Sequence, residues 1–500
     1  MRAIRISTML LLALSAPVAA QTTTNTAPTG TAAATITPQD VQKRIQFLAS
    51  DELRGRDTPS PGLERAAEYI AQEFKRLGLK PAGDSGTYVQ RWPFKQAKLD
   101  VASLRAELRG GTTRKLNYGQ DFFLIASPRV DTVFGNLIFA GVAGDSTAAP
   151  AKFNKQIATF FIPGAIPTPE WEKALQAAFV SAMTGGASGL LFILDPQFAP
   201  GMIAAVAQVA GQQQAPLPLV AVAYDAARDW LKTLNVNLDS ARVGKDPNVL
   251  AKGSMFVRTS SGGNVSQAPN VVGIIEGSDP TLKNTYLVYT AHMDHVGVGQ
   301  PDASGDSIYN GADDDASGTS AVLEIAEAFA ALTTKPKRSI IFALVSGEEK
   351  GLYGSAYFVE HPPVPAKQMI ANINIDMIGR NASDSTVAIG QEYTSLGPIM
   401  QEVNRAHPEL KLTVAPDLWP QENLFVRSDH FNFAKAEIPA IFFTSGLHAD
   451  YHKPSDEPET IDNDKLARTA QLLFYLGHHV AESQHAPIWT EAGLKIIKGN

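Results

Sequence analysis

The sequence has 500 residues, with 43 Lys plus Arg against 50 Asp plus Glu, a net charge of −7 and no cysteine. The missing cysteine excludes disulfides, thiolate metal ligands, a cysteine nucleophile and a lipidated N-terminal cysteine, so any bound metal must be held by His, Asp or Glu. A mildly acidic chain without a Lys/Arg-rich run also argues against nucleic acid or an anionic membrane surface as partner, and its length favours two domains.

The chain opens MRAIRISTMLLLALSAPVAA, with Arg2 and Arg5 ahead of an apolar run and small residues after it. That pattern predicts a secretory signal peptide over 1–20 and a secreted or periplasmic mature protein. No later stretch offers the run of about 18 apolar residues that a membrane helix needs. Residues 21–36, rich in Thr and Ala, read as a flexible leader. Thr37-Pro38 has the form of a helix start, followed by Val41, Ile45 and Leu48 at helical spacing. A second helix is signalled by Leu63, Ala67, Ile70, Phe74 and Leu77, ended by Gly78.

From 126 to 262 the apolar runs NLIFAG, ATFFIPG, GLLFIL and LPLVAVA predict short strands, with a helix around Trp171 to Met183. No histidine occurs in this stretch, and Phe160, Phe161 and Phe192 read as core. The remainder alternates strands with helices: NVVGIIEG, TYLVYTAHMD, a helix over Ser317 to Leu332, then SIIFALVSGEE, IANINIDMIG, TVAIG and AIFFTSG. Nearly continuous apolar strands separated by helices predict an α/β fold, a mostly parallel mixed sheet with helices on both faces. Ligands in such sheets bind beyond the carboxyl ends of the strands.

All ten histidines lie between His292 and His485. In AHMDH, His292 ends a strand and Asp294 is placed to fix its tautomer, although a lone His-x-Asp is more often a satisfied polar strand end. NGADDDASG puts three aspartates before a buried helix; capping accounts for part of that, not for three carboxylates. In VSGEEKG, Glu348 and Glu349 follow a strand, and adjacent carboxylates can divide metal binding and proton transfer between them. Asp376 stands within the apolar strand IANINIDMIG, where an unpaired charge is costly. His452 follows AIFFTSG in a loop. Two imidazoles and three carboxylates in this order suit a pair of zinc ions with one carboxylate bridging.

The segments AHMDH, GADDDASG, SGEE, NIDMIG and YHKPSDE resemble the co-catalytic di-zinc exopeptidases of metallopeptidase family twenty-eight, which include leucyl aminopeptidases and glutamate-carboxypeptidase-like enzymes. The catalytic resemblance spans roughly 37–120 and 265–485. Residues 126–262 are similar to the protease-associated domain some members insert. The domains expected are therefore a di-zinc peptidase over 37–125 and 263–500, with a smaller α/β protease-associated-like insertion at 126–262. The resemblance implies that His292 and Asp376 hold one zinc, Glu349 and His452 the other, and that Asp314 bridges both, with a cis peptide to Asp315. It makes Glu348 the general base and then acid, Asp294 the partner of His292 and Tyr451 an oxyanion donor; Asp456 would orient His452. The activity implied is release of N-terminal amino acids from peptide substrates.

Carboxypeptidase, dipeptidase or glutaminyl-cyclising activity on the same scaffold, and a non-catalytic binding protein with structural metal, are the rival readings. Cyclases of this scaffold use one zinc, which the full five-ligand set opposes, and a structural site has no need of Glu348. Arg427 is a residue that would serve a substrate carboxylate. His295, His430 and His448 are assigned to the pocket wall or to supporting positions, Ser428-Asp429 to the substrate site, and His478-His479 to structure.

Overall fold

The computed structural model describes residues 29–95, 104–128, 132–144, 152–164, 169–198, 203, 214–215, 217–235, 237–238, 253–258 and 265–498. The predicted signal peptide and the first part of the leader lie outside these residues. The rest of the leader departs from expectation. Thr29–Ala33 is a helix, and Ala32, Ala33 and Ile36 are buried in the main core. Alanine is small enough to pack closely against neighbouring helices, so a segment of low hydropathy can still be tied down.

Among the described residues, two nine-stranded sheets organise the chain. In the first, the central strands run in the order Ser339–Val345, Tyr286–His292, Met369–Ile375 and Ala440–Thr444, and all four are parallel. Val265–Ile275 adds antiparallel on one side and Ser385–Ile389 on the other. Alternation along the strands feeds two cores. Leu287, Tyr289 and Ala291 face the layer that includes the helices Pro38–Leu48, Pro61–Arg76, Gly318–Ala331 and Asn463–Glu482. Val288, Ile341 and Ala343 face Phe358 and Phe433, from helices on the opposite side. Both faces are covered, which is why these strands read as unbroken apolar runs. Thr37 caps the Pro38 helix by accepting from Asp40 N, and Gly78 ends the second helix at φ +73°.

The second sheet has four parallel strands, Thr132–Val142, Ile157–Ile162, Gly189–Leu194 and Leu219–Val222, flanked by antiparallel ones. Phe160, Phe161 and Phe192 are buried in it as expected. Its extent corrects the expected boundary at 126: Arg105–Gly110, Thr112–Leu116 and Phe122–Pro128 are strands of this sheet. The first two are antiparallel strands at one edge, half exposed, and their polar residues hide them from a search for apolar runs.

Candidate metal centre

Every segment singled out in the sequence reaches the carboxyl ends of the parallel strands of the first sheet. His292 is the last residue of Tyr286–His292, and Glu348 and Glu349 follow Ser339–Val345. Asp376 lies one residue beyond Met369–Ile375, not inside the strand as expected. Its main-chain N–H still donates to Phe443 O at 3.1 Å, while its side chain meets Ser428 and His292. His452 sits in the loop after Ala440–Thr444 with φ +53°.

The three aspartates divide their work. Asp314 points into the cluster, with Oδ1 3.2 Å from His292 Nε2 and Oδ2 3.1 Å from His452 Nε2. Asp315 braces the backbone: it accepts from His292 N at 3.1 Å, Gly318 N at 2.9 Å and Met377 N at 3.1 Å. Asp313 accepts from Gly379 N at 2.6 Å and faces His448 Nε2 at 3.3 Å. The peptide bond between Asp314 and Asp315 is cis. Asp315 stands close enough to His292 and Asp376 to join a metal site by position. Its three main-chain donors already occupy it, which leaves Asp314 as the carboxylate shared between the two halves.

Each half is completed by a second carboxylate. Asp376 Oδ1 lies 3.5 Å from His292 Nε2, and its Oδ2 accepts from Ser428 Oγ at 2.7 Å. Glu349 Oε2 lies 3.1 Å from His452 Nε2. His292 Nδ1 is 3.1 Å from the main-chain oxygen of Asp294, which only accepts, so Nδ1 carries the proton and Nε2 is free to ligate. This modifies the expected role of Asp294. Its Oδ1 is 3.7 Å from that nitrogen, while Oδ2 takes hydrogen bonds from Thr58 Oγ1 and Gly347 N, each 2.8 Å. Asp456 does not orient His452 either: its carboxylate accepts from the main-chain N–H groups of Asp313 and Asp314.

His295 belongs nearer the centre than its sequence position suggested. Its Nδ1 is 2.7 Å from Glu349 Oε1 and 3.7 Å from Asp314 Oδ2, and its ring meets that of His452 edge-on at 5.4 Å. Ligand atoms of His295, Asp314, Glu349 and His452 all lie within 4.8 Å of one another. His448 meets the acidic loop at Asp313, while His430 and His478 stand apart. His430 stacks on Phe442 and is pushed down to about 3 by burial, so it is neutral, and His478 packs against Phe329 and Phe474.

The electrostatics call for cations. Burial and Asp314 push the Glu349 carboxyl upward, and His452 and His295 overcome both, holding it at about 2. Against the lowering by burial, Glu349 and Asp314 raise His452 to about 10, so the imidazole takes up a proton where positive charge is short. Burial raises Glu348 well above the ordinary carboxylate range, opposed by His292. Both nitrogens of His295, Glu349 Oε1 and His452 Nε2 are buried and, despite their close approaches, make no aligned hydrogen bond. Such a cluster of orphaned imidazole and carboxylate atoms fits metal ions bound between them.

A small recess of about 50 Å³ opens onto His292, Asp314, Glu348 and Asp376, with apolar walls that include Leu424, Phe442 and Leu447. Tyr451 stands at its edge, ring stacked on His452 at 3.9 Å, and burial keeps its hydroxyl protonated. Ser428 lines the recess as well as holding Asp376. Glu348 and Arg427 also border a larger cleft of about 1820 Å³, whose far wall includes Phe179, Val180 and Met183 of the second-sheet unit.

A parallel sheet carrying paired imidazoles and carboxylates beyond its strand ends, with Glu348 beside them, is an arrangement that can hold metal ions next to a proton acceptor. Residues 270–477 match the family model for peptidase family M28. The chain is 26% identical over 232 residues to the aminopeptidase YwaD of Bacillus subtilis, covering 44% of this chain and 46% of that one. It is 32% identical over 304 residues to a probable zinc metalloprotease of Pyricularia oryzae, covering 53% and 58%. These matches thus span about half the length of each relative. Among solved structures, the aminopeptidase from Aneurinibacillus sp. strain AM-1 aligns over 92% of this chain and 97% of its own, with a TM-score of 0.51 and 19% identity, a likeness of fold.

Proposed function

We propose that the protein is an exported zinc aminopeptidase that removes N-terminal residues from peptides. The observation that carries this reading is Asp314, whose two oxygens face His292 and His452 on opposite sides, each imidazole paired with a further carboxylate. Two zinc ions would be held, one by His292 and Asp376, the other by Glu349 and His452, with Asp314 shared. Bound zinc supplies acidification of water and polarisation of the scissile carbonyl.

The chain's own groups supply the rest. The Glu348 carboxylate takes a proton from the attacking water and returns it to the leaving amine nitrogen. The Tyr451 hydroxyl donates a hydrogen bond to the oxygen on which charge develops. Asp315 and Asp456 hold the backbone of the acidic loop, and the Asp294 carbonyl holds His292 in the ligating tautomer. The unit built on the second sheet is read as the protease-associated-like insertion. No helix among the described residues is long and apolar enough to cross a membrane.

Glu348→Gln is the direct test of the proton transfer. It is expected to lower kcat by about 10²- to 10⁴-fold while bound zinc, measured by elemental analysis, stays unchanged. Normal turnover in this variant would remove Glu348 from the reaction. A second reading, carboxypeptidase or dipeptidase activity, is supported by Arg427, which borders both cavities and whose Nη1, 3.6 Å from Glu422 Oε2, makes no hydrogen bond. Cleavage of N-blocked peptides with free carboxylates would favour it.

A further inference from the structure

Arg56 lies outside every motif that carries chemistry, yet it is buried to 1% exposure directly behind the metal centre. Its Nε donates to Met293 O at 2.9 Å, Nη1 to Asn310 O at 2.7 Å and to Leu48 O, and Nη2 to Gly311 O at 3.0 Å. Met293 is the residue between His292 and Asp294. Asn310 and Gly311 lead directly into the acidic loop that carries Asp314. Among the described residues no carboxylate forms an ion pair with this guanidinium. A buried charge satisfied only by neutral carbonyls is costly, and here the offset comes from the field of Asp294, Asp314, Asp315 and Asp456.

The backbone is shaped to deliver this side chain. Arg54, Gly55 and Arg56 are all left-handed, at φ +49°, +66° and +47°. Such conformations are unfavourable for side-chain-bearing residues and persist only where their surroundings enforce them. A Cβ on Gly55 would meet Gly297 O and Tyr309 O, each at 2.5 Å, so the turn is pressed onto the loops it braces. Two residues on, Thr58 donates to Asp294, and Arg56 O itself accepts from His295 N at 3.3 Å.

We propose that Arg56 is a positioning residue of the metal centre, whose guanidinium fixes the His292 loop relative to the Asp314 loop by holding their main-chain carbonyls. This rests on the reading of the cluster as a zinc site. Arginine is required because its planar fork reaches three chain segments at once; a lysine ammonium is a point charge that reaches fewer. Its effect passes through the backbone to Nε2 of His292 and to the Asp314 carboxylate, and it touches neither.

The test compares Arg56→Lys and Arg56→Met with wild type and with Arg338→Met. Arg338 is also buried, but it lies at the amino end of the strand Ser339–Val345 and donates to Thr285 Oγ1 and Gln484 O, away from the cluster. Zinc affinity of each folded protein is read by competition with a chromophoric chelator, alongside Tm. Both Arg56 variants are expected to bind zinc about 10- to 100-fold more weakly. Arg338→Met is expected to lose Tm with zinc affinity unchanged. Should Arg56→Met fail to fold, the milder Arg56→Lys keeps the charge and decides the matter. Wild-type zinc affinity in folded Arg56→Lys, with only Tm reduced, overturns the proposal. Absence of zinc binding by wild type would instead overturn the reading of the cluster on which it rests.

Discussion

His292, Asp314, Glu349, Asp376 and His452 converge because each follows the end of a strand or begins a helix beside those ends, and the parallel sheet brings the ends together. Their chemistry was legible in the residues themselves: acids and imidazoles at the edges of apolar runs demand a partner. What decides their exact roles was not legible, because it depends on main-chain contacts between distant segments. Asp456 holding two backbone N–H groups, Asp294 meeting His292 through its carbonyl, and His295 reaching Glu349 leave no trace in local pattern. The same reason hides Arg56, whose four acceptors are all carbonyls. Tyr451, by contrast, is exposed to test at this scale. With a protonated hydroxyl at the recess, Tyr451→Phe is expected to lower kcat by about 10²-fold with zinc content and KM nearly unchanged. Unaltered kcat would assign the tyrosine to packing against His452.

At the scale of elements, the strands and helices of the peptidase sheet were readable because burial on both faces removes ambiguity. Ser339–Val345 and Tyr286–His292 are apolar or small almost throughout and buried almost throughout. The helix over Gly318–Ala331 begins only after an irregular turn at Ala312–Ser317, whose shape is set by the aspartates' long-range hydrogen bonds. The strands Arg105–Gly110 and Thr112–Leu116 escaped notice because a half-exposed antiparallel edge needs few apolar residues. Packing between elements also explains one glycine. Gly477, in the helix Asn463–Glu482, passes so close to Tyr289 that a Cβ would lie 1.7 Å from its hydroxyl oxygen. That hydroxyl donates to Leu473 O at 2.7 Å, and its ring stacks on Phe342 at 5.5 Å. Gly477→Ala is therefore expected to destabilise the fold by about 1–3 kcal/mol, read as a lower denaturant midpoint. An unchanged midpoint would mean that helix and sheet move apart freely there.

For the whole molecule, a cleft lined by residues of both sheet-based units reaches Glu348 and Glu349, next to the candidate metal centre. On the proposed reading, a peptide would enter from the cleft and place its end in the recess beside His292 and Asp376. The central claim is a zinc-dependent reaction at a free N-terminus. Its most direct measurement is hydrolysis of leucine p-nitroanilide and of N-blocked peptides by the purified chain, before chelation, after it, and with zinc restored. The structure leads us to expect release from free-amine substrates only, abolished by chelation and recovered with zinc. Hydrolysis that survives removal of the metal, or that is confined to N-blocked peptides, would contradict it.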